Sequence, residues 1–156
     1  MKMDFENNIL LSADDFYDAH IRCITGKEHK IIDGRDAFSV VNIPAIVNGA
    51  FSCELYMKSM FEGDSHTHNL LFFFNRIPKN IKDEIEQLYQ QKKIEKYSTF
   101  KDALFVVRNA FVEWRYLFQE ENRHQCNPCT LNEFLRIFAT IIPILKEVAH
   151  HHYTYK

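Results

Sequence analysis

Apolar residues recur every three or four positions along most of this chain, the spacing that gathers them on one face of a helix. The pattern is clear in IVNGAFSCELYMKSMF, residues 46–61, and in FKDALFVVRNAFVEWRYLFQEE, residues 100–121. No competing run alternates apolar and polar residues as a half-buried strand does. The sequence therefore predicts an all-α fold, an antiparallel bundle of about five main helices.

Helix starts are indicated where a capping side chain is followed three residues later by an acidic one. Four pairs have this form: Ser12 with Asp15, Asn80 with Asp83, Thr99 with Asp102, and Thr130 with Glu133. The charged, glycine-containing segment Lys27 to Asp36 is predicted to be a loop. Pro44 suits the first turn of a helix, so the helix through residues 46–61 is expected to start or restart there, whereas Pro143 should bend the last helix.

The length of 156 residues suits one domain with its own core, and we expect residues 1–156 to form it. Residues 1–11 and 150–156 are predicted to be loose ends, with His150 to His152 in a frayed helix terminus. The formal net charge of -2 gives no electrostatic reason to expect a nucleic-acid binder.

Acidic residues near the amino terminus and the lack of a long apolar run predict a cytoplasmic protein that does not enter a membrane. The cysteines are then expected to be reduced, with Cys53 in the core. Cys126 and Cys129, beside His124, have the spacing of half a zinc knuckle or of a redox pair, but no second such pair follows. A simple turn is favoured, and neither a metal nor another cofactor is predicted.

One charged residue interrupts the apolar face of residues 46–61. Glu54 lies at the middle of that face, where an unpaired carboxylate would cost several kcal/mol. The sequence predicts a cation placed to meet it. Arg115 is the preferred candidate, because it is similarly surrounded by apolar positions of residues 100–121, and Arg108 lies one heptad earlier on the same stripe.

Lys58 and His68 are expected to join Glu54, Arg108 and Arg115 in one polar cluster. The favoured interpretation is an ion-pair network that fixes how the helices pack. The alternative is a site open to solvent, in which Arg115 binds a phosphate and His68 moves the proton of a ribose 2′-hydroxyl.

Four pieces in order carry a resemblance to a known family: NGAFSCELYMKSMF, SHTHNLLFFFNRIP, AFVEWRYLFQEE and the capped final helix. They are similar to the HEPN domain (higher eukaryotes and prokaryotes nucleotide-binding) of small stand-alone prokaryotic proteins. In those relatives A-C-E-L-x-L-K precedes G-H-x-L-x-x-L-F-x-x-L-P, and a later helix carries F-x-x-x-R-Y. The resemblance covers roughly residues 41–145.

The resemblance implies a helical bundle that often forms a homodimer, and in many members a metal-independent endoribonuclease of toxin or defence type with an Arg-x4-6-His motif. Here no histidine follows Arg115 within that range, and Glu120 lies 140° around the helix, a poor replacement. Tyr116 could stack on a base. We therefore expect a module that binds RNA, a nucleotide or a protein partner, with the ribonuclease as the alternative and an antitoxin partner that the chain does not identify.

Overall fold

The structure, a computed structural model, describes residues 5–26, 29–38, 42–115 and 128–154. The fold is all-α, as predicted, with one small hairpin added. In chain order the described elements are α1 (Phe5–Thr25), β1 (His29–Ile32), β2 (Arg35–Phe38), α2 (Asn42–Lys58), α3 (Leu70–Arg76), α4 (Lys79–Lys92), α5 (Phe100–Val107), α6 (Ala110–Arg115) and α7 (Pro128–Thr154). The helical segments outnumber the predicted five, partly because the helix predicted through residues 100–121 is divided.

The central element is α2, which contacts α1, α3, α6 and α7. Pro44 lies in its first turn, where the missing N–H breaks no helical hydrogen bond. Gly49 allows a close approach of α1, since a Cβ atom there would lie 2.8 Å from Nδ1 of His20 and 3.3 Å from Cδ1 of Ile142. The helix is therefore enclosed on several sides, and Glu54 lies within it.

The segment predicted to be a loop forms an antiparallel hairpin of β1 and β2. Asp33 and Gly34 connect the strands with φ values of 52° and 72°. Positive φ at both central residues is what a two-residue type I′ turn requires, and Asp-Gly is a preferred pair for it. The prediction was wrong because the strands are short and do not alternate clearly, although the turn signal was present.

The start of α5 follows the sequence prediction. The Thr99 hydroxyl accepts a hydrogen bond from the backbone N–H of Asp102, and the Asp102 side chain accepts one from the N–H of Thr99. The helix stops at Val107, and α6 restarts at Ala110. The predicted continuation toward residue 121 lies outside the described residues.

The last helix, α7, begins at Pro128, so Thr130 lies inside it rather than at its start. The capping box predicted there is wrong, since the Glu133 carboxylate accepts hydrogen bonds from Lys96 and Tyr97. Pro143 is accommodated within the helix. The carbonyl that would have paired with its missing N–H belongs to Ala139, which is exposed and open to water.

Both predicted loose ends are helical over much of their length. The amino-terminal helix α1 already begins at Phe5, and Leu10 is buried in the core. At the other end α7 continues to Thr154, and His150, His151 and His152 contact carboxylates. These contacts explain why the helix does not fray where the sequence alone suggested it would.

Candidate functional site

Glu54 is completely buried in α2, as its position on the apolar face predicted. Lys58 Nζ donates to Oε1 at 2.7 Å, and His68 Nδ1 lies 2.9 Å from Oε2. Because a carboxylate only accepts, the Nδ1 atom of His68 carries the hydrogen. Each oxygen thus has its own donor, and we call these three residues the Glu54 cluster.

Local structure explains how the cluster forms. Lys58 lies one helical turn after Glu54, so the two side chains meet on the same face. His68 lies in the connection to α3, where the Ser65 hydroxyl accepts the backbone N–H of Thr67 and the Thr67 hydroxyl accepts that of Asn69. Asn69 then caps α3 by accepting from the N–H of Phe72 at 3.1 Å. The histidine is therefore held by ordered backbone on both sides.

The basic side chains that contact Glu54 are Lys58 and His68, both expected in the cluster, and not the preferred candidate Arg115. Lys58 comes from the same helix and His68 from the following connection, whereas the guanidinium of Arg115 lies over the ring of Phe111, 5.4 Å from its centroid. The helical wheel favoured Arg115 because a wheel does not show how the connection after α2 folds back toward Glu54. The predicted cation exists, but it is supplied locally.

Arg108 also has other contacts. Its Nη1 atom donates to the carbonyl of Phe105 at 2.5 Å, and its guanidinium lies 3.8 Å from the centroid of the Phe105 ring. Tyr116 and Glu120, the other predicted binding residues, lie outside the described residues. The predicted cluster is therefore divided between the Glu54 cluster and a separate surface on α5 and α6.

Phe111 brings the two predicted catalytic residues near each other. The His68 ring lies 4.4 Å from it, centroid to centroid, and Arg115 lies against the same ring. The His68 side chain is 38% exposed, and Arg115 is exposed. Within the described part of the chain, Nε2 of His68 has no hydrogen bond. An imidazole nitrogen and a guanidinium can therefore reach solvent beside one aromatic ring.

Apolar and arginine side chains alternate along α5 and α6 at helical spacing, and three of the four are exposed while Arg108 is half-buried. We define the arginine stripe as Phe105, Arg108, Val112 and Arg115. Phe105 is 52% exposed and Val112 41% exposed, and the two arginines follow them. The backbone N–H of Leu70 donates to the carbonyl of Arg108 at 2.9 Å, which brings α3 against this surface.

The neighbouring helix α3 extends the surface with the same chemistry. Phe72 is 40% exposed, and the guanidinium of Arg76 lies 5.4 Å from the centroid of its ring. Arg76 also lies 5.2 Å from the ring centroid of Phe61. Aromatic rings with arginines above them therefore occur on two adjacent helices.

A cleft of about 600 Å³ lies at the end of α2. Lys58 contributes to its wall, together with Glu62 and Asp64. Two carboxylates in the lining oppose the approach of a phosphate, because like charges repel at short range. The cleft gives the cluster solvent access but favours no anionic ligand.

A second polar cluster, at Asp14 of α1, was missed by the sequence analysis. Its carboxylate accepts from Tyr56 Oη at 2.5 Å, from His150 Nε2 at 3.0 Å and from Lys146 Nζ at 3.1 Å. Burial would raise the pKa of Asp14, but these hydrogen bonds outweigh it and lower the pKa below its ordinary value. Burial and the bond to Asp14 raise the pKa of Tyr56.

Two further groups bear on metal binding. Glu84, His151 and His152 place one ligand atom each within 4.8 Å of one another.

Among the cysteines, Cys126 and the side chain of Cys129 lie outside the described residues. Cys53 is buried in the core, as predicted, and burial raises the pKa of its thiol. The histidine pair was missed because residues adjacent in sequence do not show which carboxylate faces them.

No protein-family model, curated protein or solved structure matches this chain. None of the helices in the described ranges is long and apolar enough to cross a membrane.

Proposed function

We propose that this protein is an RNA-binding module that contacts single-stranded RNA along the arginine stripe. The observation that carries the proposal is the alternation of exposed Phe105 and Val112 with Arg108 and Arg115. Single-stranded nucleic acid is bound by aromatic side chains that stack on bases beside cations that contact the backbone.

Arginine suits this task because its planar fork can bind a phosphate through two hydrogen bonds and can also lie flat on a ring. The guanidinium of Arg108 already lies over Phe105, and that of Arg76 over Phe72. Base stacking on such platforms contributes roughly 1–3 kcal/mol per base. The overall charge of -2 does not oppose this, since the basic groups are concentrated locally.

In this proposal the Glu54 cluster is structural. Both carboxylate oxygens are occupied, and the bond to His68 fastens the connection between α2 and α3 to the bundle interior. That connection leads directly into Asn69, whose side-chain Nδ2 donates to Asn109 Oδ1 at 3.1 Å between α5 and α6. The cluster therefore supports the binding surface from beneath.

Binding is tested by fluorescence polarisation with labelled single-stranded RNA at several salt concentrations. The variant Arg108→Gln with Arg115→Gln should weaken binding tenfold or more, and the slope of log affinity against log salt should become shallower by about 0.7 for each lost phosphate contact. Arg22→Gln, an exposed arginine on α1, is the matched control and should bind like the wild type. Equal affinity of the double variant and the wild type would contradict the proposal.

A second function, metal-independent RNA cleavage, is favoured by the position of His68 and Arg115 against Phe111. Arg115 would bind the phosphate. His68 Nε2 would accept the 2′-hydroxyl proton as that oxygen attacks the phosphorus, and the 5′-oxygen would leave with a proton from water. The products would be a 2′,3′-cyclic phosphate and a 5′-hydroxyl.

The same RNA, incubated with the wild type, His68→Ala and Arg115→Ala, separates the two functions. Cleavage that both variants lose, with cyclic phosphate ends, supports the enzyme. Cleavage that both variants retain excludes these residues, and binding without cleavage supports the binding module alone.

A further inference from the structure

The last turn of α7 and the middle of α4 bring two imidazoles to one carboxylate. His151 Nδ1 lies 2.8 Å from Oε1 of Glu84, and His152 Nε2 lies 2.7 Å from Oε2. The two histidine rings are 5.0 Å apart, centroid to centroid. Although the histidines are neighbours in sequence, different ring nitrogens allow both to converge on Glu84.

Two imidazole nitrogens with one carboxylate oxygen form a ligand set that zinc uses in proteins. The three ligand atoms lie within 4.8 Å of one another. For comparison, the ligand atoms of a tetrahedral zinc ion with bonds of about 2.0–2.1 Å are separated from one another by about 3.3 Å. The two nitrogen–oxygen distances, each to a different oxygen of Glu84, are shorter because a hydrogen lies between the atoms. Since all three ligand atoms lie within 4.8 Å of one another, side-chain shifts of roughly 1.5 Å or less give the separation that zinc requires.

We propose that Glu84, His151 and His152 bind a divalent transition-metal ion of the zinc type, such as Zn²⁺, Co²⁺ or Ni²⁺. The nitrogen ligands favour these ions over Mg²⁺ and Ca²⁺, which prefer sets of oxygen ligands. Three protein ligands leave a coordination position for water. That position faces solvent, since the His151 side chain is 52% exposed.

The proposal does not depend on RNA binding, because these residues lie outside the arginine stripe. Its structural consequence is a bond network between α4 and the end of α7. An ion that binds the folded chain, and that finds no preformed site in the unfolded chain, raises the unfolding midpoint.

Titration calorimetry of the full chain with Zn²⁺ tests the site. We expect one ion per chain, with binding weakened at least tenfold by Glu84→Gln, His151→Gln or His152→Gln. His150→Gln is the matched control, because His150 lies in the same run but contacts Asp14, and it should bind like the wild type. The double variant Cys126→Ser with Cys129→Ser should also retain binding, which excludes the thiols as ligands.

Two further measurements distinguish loss of the metal site from loss of the fold in a variant that is less stable. Zn²⁺ should raise the thermal midpoint of the wild type but not that of Glu84→Gln. Circular dichroism of Glu84→Gln serves as the control that this variant is still helical and folded. Co²⁺ should give a spectrum without a thiolate charge-transfer band. Absence of binding, loss of binding in the cysteine variant, or undiminished binding in Glu84→Gln would overturn the proposal.

Discussion

At the scale of single residues, the sequence revealed the buried charge and placed Lys58 and His68 in its cluster, but it ranked Arg115 first among the partners. An acidic residue on an apolar helical face implies a basic partner, and Glu54 has two hydrogen-bond donors, Lys58 and His68. Lys58 could be anticipated from its spacing of one helical turn. The role of His68 depends on how residues 59–69 fold back, which no helical pattern encodes. The burial of Glu54 and its local contact with Lys58 were therefore predictable, whereas the pattern gave no physical reason to prefer His68 over Arg115.

Removing the carboxylate of the Glu54 cluster should cost less free energy of unfolding than removing its two hydrogen-bond donors. In Glu54→Gln, Lys58 and His68 can turn toward water because they are 24% and 38% exposed, so we expect a loss of about 1–2 kcal/mol. Lys58→Met with His68→Leu leaves the carboxylate buried and unpaired, and should cost about 3–5 kcal/mol.

Urea unfolding monitored by circular dichroism measures both losses. Glu62→Gln, an exposed carboxylate shortly after α2, is the control and should change stability by less than about 0.5 kcal/mol. If Glu54→Gln loses more free energy of unfolding than the double variant, the buried carboxylate does not depend on Lys58 and His68.

His20 gives a second residue-scale expectation, concerning pH. It is completely buried, its Nδ1 atom donates to the carbonyl of Ala45 at 2.7 Å, and its buried Nε2 atom has no partner in the described ranges. Burial lowers the pKa of His20, against the opposing effect of that hydrogen bond. Protonation would add a charge and an unpaired N–H to the core.

Because the folded state binds this proton less readily than the unfolded state, its contribution to stability should be constant above the ordinary histidine pKa of about 6.5 and should decline below it. The decline has a limiting slope of about 1.4 kcal/mol per pH unit. The variant His20→Asn keeps a donor for Ala45 but cannot titrate there. Urea unfolding from pH 5 to 8 should show a shallower decline for the variant, and parallel curves would refute this explanation.

At the scale of elements, helices with clear end signals were predictable. Thr99 and Asp102 form the expected capping box, because both partners are local. The pattern Thr130 with Glu133 has the same form but is not a cap, since Glu133 is used by Lys96 and Tyr97 from a distant segment. Local rules thus hold until a tertiary contact competes for the same side chain.

The crossing of α1 and α2 leads to an element-scale expectation. In Gly49→Ala, the new methyl group would lie 2.8 Å from His20 Nδ1 and 3.3 Å from Ile142 Cδ1, so the helices must separate. We expect a net loss of about 1–2 kcal/mol, although alanine favours a helix by about 1 kcal/mol over glycine. Urea unfolding tests this, with the exposed α4 change Gln87→Ala as control. Increased stability of Gly49→Ala would show that the space between residue 49, His20 and Ile142 can accept a methyl group.

At the scale of the whole molecule, the fold is organised around α2, the helix that carries Glu54. The sequence indicated that position because this helix combines a long apolar stretch with a single embedded charge. It could not indicate how the division into α5 and α6 exposes the arginine stripe. The expected homodimer stays a prediction, which light scattering of the purified chain would test.

Asp14 on α1 and Glu84 on α4 both receive histidines from the final turn of α7. A chain cut by a protease before His150 would lose both attachments in one event. Glu84 would lose its contacts to both histidines, whereas Asp14 would lose only that to His150 and keep those to Tyr56 and Lys146. Trimming a few terminal amino acids should therefore loosen the fourth helix more than the first, and a fused affinity tag should be placed away from this end.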